Sequence, residues 1–366
     1  PLSREVAMSD LSIKLWNLEF AHPVMPAAGP PVMDANALAA CARGGASALV
    51  AKTISTSAAV IPHPNMADFK SHFLNTELWS ELPPEQWIEH ELPAARKLGL
   101  PLIVSLGYTT EEIASLAPRV AHLADALELS THYVSNDLTP LQNTIKAAKD
   151  GSGLPVLVKV SPFRDIPRFA EAAQQAGADG IVAVNSFGPA LGIDIERGGR
   201  LWMGGKGYGW ISGPALKPIA LRAVYDASRT VDIPIIGVGG ISRGTDAIEF
   251  LMAGDSAVQV CTAAITRGPD VFGRIAREMD AWLDQHGYAS AREVIGLSHR
   301  QTPPLMEHPP LTAAGQCNGC GLCVTSCVYG ALTVVEKKIQ VNGDLCTRCG
   351  LCISRCPTFA LQPVSG

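Results

Sequence analysis

The C-terminal stretch constrains this chain more than any other part of it. Of ten cysteines, only Cys41 and Cys261 fall in the first 316 residues, and eight crowd between Cys317 and Cys356. They write one pattern twice: "CNGCGLCVTSC" at Cys317, Cys320, Cys323 and Cys327, then "CTRCGLCISRCP" at Cys346, Cys349, Cys352 and Cys356. Each copy reads C-x2-C-x2-C-x3-C, the spacing that folds a tight loop around one iron–sulfur cluster and sends the fourth cysteine to the other cluster. The expected ligand sets are Cys317, Cys320, Cys323 and Cys356 for one [4Fe–4S] cluster, and Cys346, Cys349, Cys352 and Cys327 for a second. Gly319, Gly321 and Gly350 would let backbone amides approach the sulfurs. Zinc is the competing reading, but zinc ribbons take two separated pairs of cysteines, not four in one run twice over. Disulfides are disfavoured, because the N-terminus shows no charged-then-apolar export pattern. One departure is visible: proline follows Cys356, whereas Val328 follows Cys327.

Upstream, from Pro23 to about Gly287, short apolar runs alternate with amphipathic stretches of helical period, the pattern of βα units on a parallel sheet. The expected strands are Val24 to Ala27, Ala48 to Lys52, Leu102 to Leu106, Ala126 to Leu129, Val156 to Val160, Gly180 to Val184, Ile235 to Val238 and Ala257 to Val260, each followed by a helix. Eight units match a (β/α)8 TIM barrel, with an open doubly wound sheet as the alternative. The expected domains are a barrel over 8–299, a Pro-rich linker over 300–315 and an α+β module over 316–366. Residues 1–7, ahead of Met8, read as an appended remnant. Two strand-to-helix connections, Thr53 to Pro84 and Asn185 to Pro214, are long enough to form lids or binding walls. Cys41 reads as a core residue on a helix face and receives no role.

Charge excludes several function classes. The net charge is -5, and no long run of Lys or Arg appears, so nothing calls for nucleic acid or an anionic membrane surface. No stretch approaches the roughly 18 to 20 apolar residues of a membrane helix. A cytoplasmic protein acting on small molecules is expected. Electron-carrying clusters joined to a barrel suggest that the barrel holds a centre able to turn single electrons into two-electron chemistry, which a flavin does. "IIGVGGISRGTDA" places Gly239 and Gly240 after the seventh strand, and "VQVCTAA" places Cys261 and Thr262 after the eighth, where barrels cradle phosphates. Tight turns need glycine in any case, so the turn alone does not decide between the two uses.

The motifs "AKTIST", "SHFLNTELWSE", "ADALEL", "VKVSP", "GADGIVAVNS", "ISGPALKPIALRAV", "GVGGI" and "QVCTAA" resemble the FMN barrels of the dihydroorotate dehydrogenase and dihydropyrimidine dehydrogenase family. The tail resembles a ferredoxin-like domain. The resemblance implies FMN contacts from Ala28, Lys52, Thr53, Lys159 and Gly213, and phosphate contacts from Gly239, Gly240, Cys261 and Thr262. It implies substrate contacts from Asn75, Asn185 and Ser186, residue types whose donors and acceptors suit a lactam or imide edge. The bland alternative is turn chemistry.

The chain departs from the family after "ADALEL". The family's pyrimidine enzymes continue with an Asn-Leu-Ser-Cys-Pro type sequence, whereas this chain reads Ser130, Thr131, His132, Tyr133, Val134. Without gaps, Ser130 takes the place of the substrate-binding asparagine and Tyr133 that of the proton-moving cysteine, with His132 as the alternative. Tyrosine gives a proton at neutral pH more readily than it takes one, which favours reduction; histidine could serve either direction. A rim loop that only packs is the remaining reading. The expectation is an oxidoreductase that passes electrons between two [4Fe–4S] clusters, FMN and a C=C or CH–CH bond of a small cyclic or conjugated substrate. Its electron partner would be external, a ferredoxin or an FAD- and NAD(P)H-binding subunit, and the resemblance implies a homodimer. The rivals are a dihydropyrimidine or dihydroorotate dehydrogenase proper, and an electron-relay subunit without its own organic substrate.

Overall fold

Short strands, buried along their whole length, set the architecture. In the computed structural model, which describes residues 9–131, 135–162, 165–301, 306–312 and 316–363, the chain divides into two compact units between Arg300 and Gln301. The larger contains parallel strands β1 (Val24–Pro26), β2 (Leu49–Val50), β3 (Leu102–Leu106), β4 (Ala126–Ser130), β5 (Val156–Val160), β6 (Gly180–Ala183), β7 (Ile235–Val238) and β8 (Ala257–Val260). They hydrogen-bond in the order β1-β8-β7-β6-β5-β4-β3-β2. At the remaining seam the Ser47 N–H and hydroxyl both donate to the Val24 carbonyl, at 3.1 and 2.9 Å. Strand order therefore runs round the ring without the reversal that marks a doubly wound sheet, and the fold is a (β/α)8 barrel.

The strands read as apolar runs because both faces are covered. Outward-facing residues pack under the helices. Inside, Met25, Val50, Ile103, Ala126, Leu157, Val182, Ile236 and Ala257, one from each strand, form a separate cluster. A hairpin of Ile13–Leu15 and Leu18–Phe20 adds Ile13, Leu15 and Phe20 to that cluster and closes the N-terminal end of the barrel. The helices follow from sequence just as directly. Thr110–Val120 starts with a capping box between Thr109 and Glu112 and buries Ile113, Leu116, Ala117 and Val120, a one-sided stripe. The helix expected after β2 is instead broken into Pro84–Gln86, a wider π turn at Trp87–Glu91, and Leu92–Arg96. Pro93 explains the break, since it has no N–H for the regular ladder and its ring crowds the preceding turn.

The two long connections do not remain loops. Phe187–Leu191, Tyr208–Ser212, Phe73–Asn75 and Met66–Asp68 pair, in that order, as a four-stranded antiparallel sheet. The connections after β2 and β6 thus form one wall above the C-terminal ends of the strands. An additional short helix, Thr262–Arg267, follows β8.

The smaller unit repeats its sequence in its structure. Leu322–Ser326 and Leu351–Arg355 are matching one-turn helices, each entered through a glycine in the left-handed region, Gly321 at φ 73° and Gly350 at φ 75°. Leu332–Val335 pairs with Lys338–Val341, and Leu311–Thr312, inside the stretch read as linker, pairs with Leu361–Gln362.

Candidate active site

A cavity of about 450 Å³ opens where the barrel strands end, a size suited to a cofactor or small ligand. Ala28 reaches it after β1, Lys52 and Thr53 after β2, Ser130 at the end of β4, and Lys159 from inside β5. Asn185 and Ser186 follow β6, Gly239 and Gly240 follow β7, and Cys261 and Thr262 follow β8. Asn75 and Gly213 join them from the four-stranded wall. The barrel thus brings together every proposed FMN residue and all four proposed substrate residues. His132 and Tyr133 lie outside the described residues.

One end of the cavity is lined by backbone rather than side chains. Gly213 and Gly240 sit in the left-handed region at φ 72° and 75°. A Cβ on Gly240 would lie 2.8 Å from both the Gly213 carbonyl oxygen and the Lys217 Cβ, and one on Gly239 2.8 Å from the Ala220 Cβ. Only glycine fits there, and without side chains the wall leaves room for a phosphate to approach the backbone. Beside it, the Thr262 hydroxyl donates to the Ser212 hydroxyl at 2.9 Å. Burial pushes the Cys261 thiol up to about 11, with Lys159 pulling the other way, so it stays protonated at neutral pH. The residues fit a flavin mononucleotide.

At the other end lie two lysines, both buried. Lys52 Nζ pairs with Glu77 Oε2 at 2.9 Å and Glu81 Oε2 at 2.6 Å. Lys159 Nζ donates to Glu128 Oε1 at 3.2 Å and Gln259 Oε1 at 3.4 Å, while Gln259 Nε2 donates to Glu128 Oε2 at 2.6 Å. Buried charges require such partners. Asn185 accepts the Ser186 N–H on its Oδ1 at 2.9 Å, and Asn75 Nδ2 donates to the Trp210 carbonyl at 3.1 Å. Local bonds therefore fix both asparagines, the behaviour expected of turn residues, yet both still line the cavity. Sequence reasoning missed Glu77, Glu81, Glu128, Gln259 and Tyr108. Glu128 was the most accessible of these, because a charged residue in the middle of an apolar strand must face a partner. Tyr108 also lines the cavity, and burial pushes its phenol well up.

All eight C-terminal cysteines lie in the smaller unit. Cys327, Cys346, Cys349 and Cys352 surround a single small cavity. Cys323 and Cys356 are buried in one apolar cluster with Cys317, Cys327 and Cys352 at its margin, and the Cys323 thiol is pushed up by burial, with Cys356 and Cys317 adding to the effect. None of the ten cysteines is in a disulfide. Among the described residues no three His, Cys, Asp or Glu converge tightly enough for a single metal ion.

A family model described as dihydroorotate dehydrogenase matches residues 10–283, three-quarters of the sequence. The chain belongs to the dihydroorotate dehydrogenase family. A second model, described as a 4Fe-4S dicluster domain, matches residues 316–360. Similar curated proteins are the catalytic subunits of dihydroorotate dehydrogenase B (NAD(+)) from Pyrococcus abyssi, 37% identical over 302 residues, and Methanothermobacter thermautotrophicus, 35% identical over 302 residues. Each alignment covers 79% of this chain, and 99% and 98% of the respective relative. The Geobacter sp. (strain M21) protein of the same description is 32% identical over 301 residues, covering 78% of this chain and 97% of the relative. As a member of the dihydroorotate dehydrogenase family this chain is an FMN-dependent iron–sulfur oxidoreductase acting on CH–CH bonds, with FMN and two [4Fe–4S] clusters as its cofactors.

Proposed function

We propose that this chain passes electrons between its two clusters, FMN and a C=C or CH–CH bond of a small cyclic or conjugated substrate, working as a reductase. The observation that carries the reading is the convergence of a glycine cradle, two buried lysines and a polar rim of Asn75, Ser130, Asn185 and Ser186 in one cavity, on a chain that also carries a dicluster unit. FMN, when bound, exchanges a hydride with the substrate, and the clusters carry single electrons to or from it. The chain's own residues supply the rest. Gly239, Gly240, Cys261 and Thr262 would receive the phosphate, and Gly213, Ala28, Lys52, Thr53 and Lys159 would hold the flavin ring. Asn185, Ser186 and Asn75 hold the substrate through amide and hydroxyl bonds, and Ser130 stands beside it at the end of β4. The proton is moved by the segment that follows, with Tyr133 as donor and His132 as its alternative.

Dihydroorotate oxidation is the second reading, favoured by the printed descriptions of the relatives. Their description as catalytic subunits and as NAD(+)-dependent also supports an external electron partner, either a ferredoxin or an FAD- and NAD(P)H-binding subunit. A homodimer in the cytoplasm completes the proposal. The polar rim on an open cavity counts against a pure electron relay. The test is anaerobic reduction of the holoenzyme followed by mixing with uracil, orotate and a panel of unsaturated carbonyl compounds. Reoxidation by one of them is expected, and indifference to the whole panel would favour the relay. Tyr133→Phe should abolish turnover with FMN still bound; undiminished turnover removes it as the donor.

A further inference from the structure

Four cations line the cavity, and they divide into two kinds. Lys52 and Lys159 are already matched, the first by Glu77 and Glu81 and the second by Glu128. Lys70 and Arg267 form no ion pair among the described residues. Both stand at the glycine end. Arg267 closes the short helix that Thr262 opens, and its Nη1 donates to the Ser242 carbonyl, just past Gly240, at 3.0 Å. Lys70 lies in the turn between Met66–Asp68 and Phe73–Asn75; beside that turn Asp68 pairs with Phe73, and Phe73 pairs with Ser212 of the next strand. A Cβ on Gly213, which follows Ser212, would lie 3.6 Å from the Phe73 Cβ and 3.3 Å from the Thr262 Cγ2, so the hairpin meets the cradle at its turn end. Asp68 is the one carboxylate lining this end, and its Oδ1 accepts the Lys70 backbone N–H at 2.9 Å. Lys217, behind the cradle, is held by Asp246 and Glu249 at 2.9 and 2.7 Å.

We infer that Lys70 and Arg267 clamp the FMN phosphate, one from the wall and one from the helix after β8, and make this chain select FMN over riboflavin. This rests on the phosphate placement at Gly239 and Gly240 proposed above and adds the charge that a glycine cradle lacks. Backbone N–H groups offer a phosphate hydrogen bonds but no net charge. A phosphate monoester carries close to about two negative charges at neutral pH, and moving it out of bulk water calls for cations as well as donors. Lys70 and Arg267 are the lining cations still open to it. Arg267 is the better placed, because its bond to Ser242 fixes the guanidinium while the other N–H groups of the planar fork have no partner among the described residues. Lys70 brings a point charge on a flexible stem, which suits a clamp that closes once the phosphate is in place. The two residues therefore determine cofactor specificity without touching the flavin ring.

The experiment equilibrates holoenzyme with mixtures of FMN and riboflavin and identifies the bound flavins by chromatography, which gives the ratio of the two affinities directly. The native protein should favour FMN strongly. Arg267→Gln should lower that preference by about tenfold or more, Lys70→Gln by about threefold or more, and the double variant by about their product. Arg267→Lys keeps the charge and should retain most of the preference. Raising the ionic strength should erode the preference of the native protein and leave that of the double variant nearly flat. A native ratio in both Arg267→Gln and Lys70→Gln would overturn the inference. So would loss of both flavins in equal measure, which marks a structural role. Gly240→Ala reads the placement of the phosphate on its own: a native ratio there removes the cradle, whereas a native ratio in the two charge variants removes the clamp.

Discussion

Glu128 joins three barrel strands and offers the sharpest test of how the barrel interior holds a charge. It is fully buried, Lys159 is 5% exposed and Gln259 is 1% exposed. Glu128→Gln keeps the shape and most of the hydrogen-bonding capacity but removes the negative charge opposite Lys159. Removing one partner of a buried ion pair costs about 3–5 kcal/mol, because the remaining charge stays in a poor solvent. In a unit of this size each kcal/mol corresponds to roughly 2–4 °C, so the unfolding midpoint should fall by about 6–20 °C. Lys159→Met should produce a comparable loss by leaving Glu128 unpaired. The double variant should then be more stable than either single one, giving a coupling energy of about 2 kcal/mol or more. Thermal unfolding of all four proteins, each scored for retained FMN, closes the cycle. A Glu128→Gln protein that melts within about 2 °C of the native one, or a double variant whose loss is the sum of the two single losses, would refute the assignment of a mutually dependent buried pair.

Gly240→Ala should lose most of its flavin on gel filtration, because the added methyl meets the Gly213 carbonyl and the backbone stands at φ 75°; full retention would remove the cradle. Cys327→Ser should remove the cluster bound by Cys346, Cys349 and Cys352 and leave the other, lowering iron content by about half; loss of both clusters, or of neither, would contradict the crossed ligand sets. Asp255 is fully buried, neither carboxyl oxygen has a hydrogen-bond partner, and burial raises its pKa well above the ordinary value. The folded protein therefore holds a proton there that the unfolded chain releases above about pH 4, and stability falls as pH rises, by at most about 1.4 kcal/mol per pH unit. Asp255→Ala removes that dependence, so its melting temperature relative to the native protein should be higher at pH 8 than at pH 5. A difference that is constant or shrinks would sink the argument.

The barrel was legible because its strands are buried on both faces. Runs such as Leu102 to Leu106 and Val156 to Val160 need no partner to be recognised, and the observed bounds coincide with the expected ones. The cradle was legible because glycines stand directly after β7 and cysteine and threonine directly after β8. The four-stranded wall was not, since Phe187–Leu191 reads "FGPAL", with glycine and proline where a strand signal would be. It becomes a strand only by pairing with Tyr208–Ser212, and Tyr208–Ser212 in turn pairs with Phe73–Asn75 more than a hundred residues earlier.

The same separation hid the partners of the two buried lysines. Lys52 and Lys159 could be placed from sequence because each stands at or near the end of an apolar strand. Their partners Glu77 and Glu81 lie in the long connection, and Glu128 on a neighbouring strand, so no local pattern reports the pairing. The family match over residues 10–283 takes in the lysines, the glycines and the strand ends that line the barrel cavity.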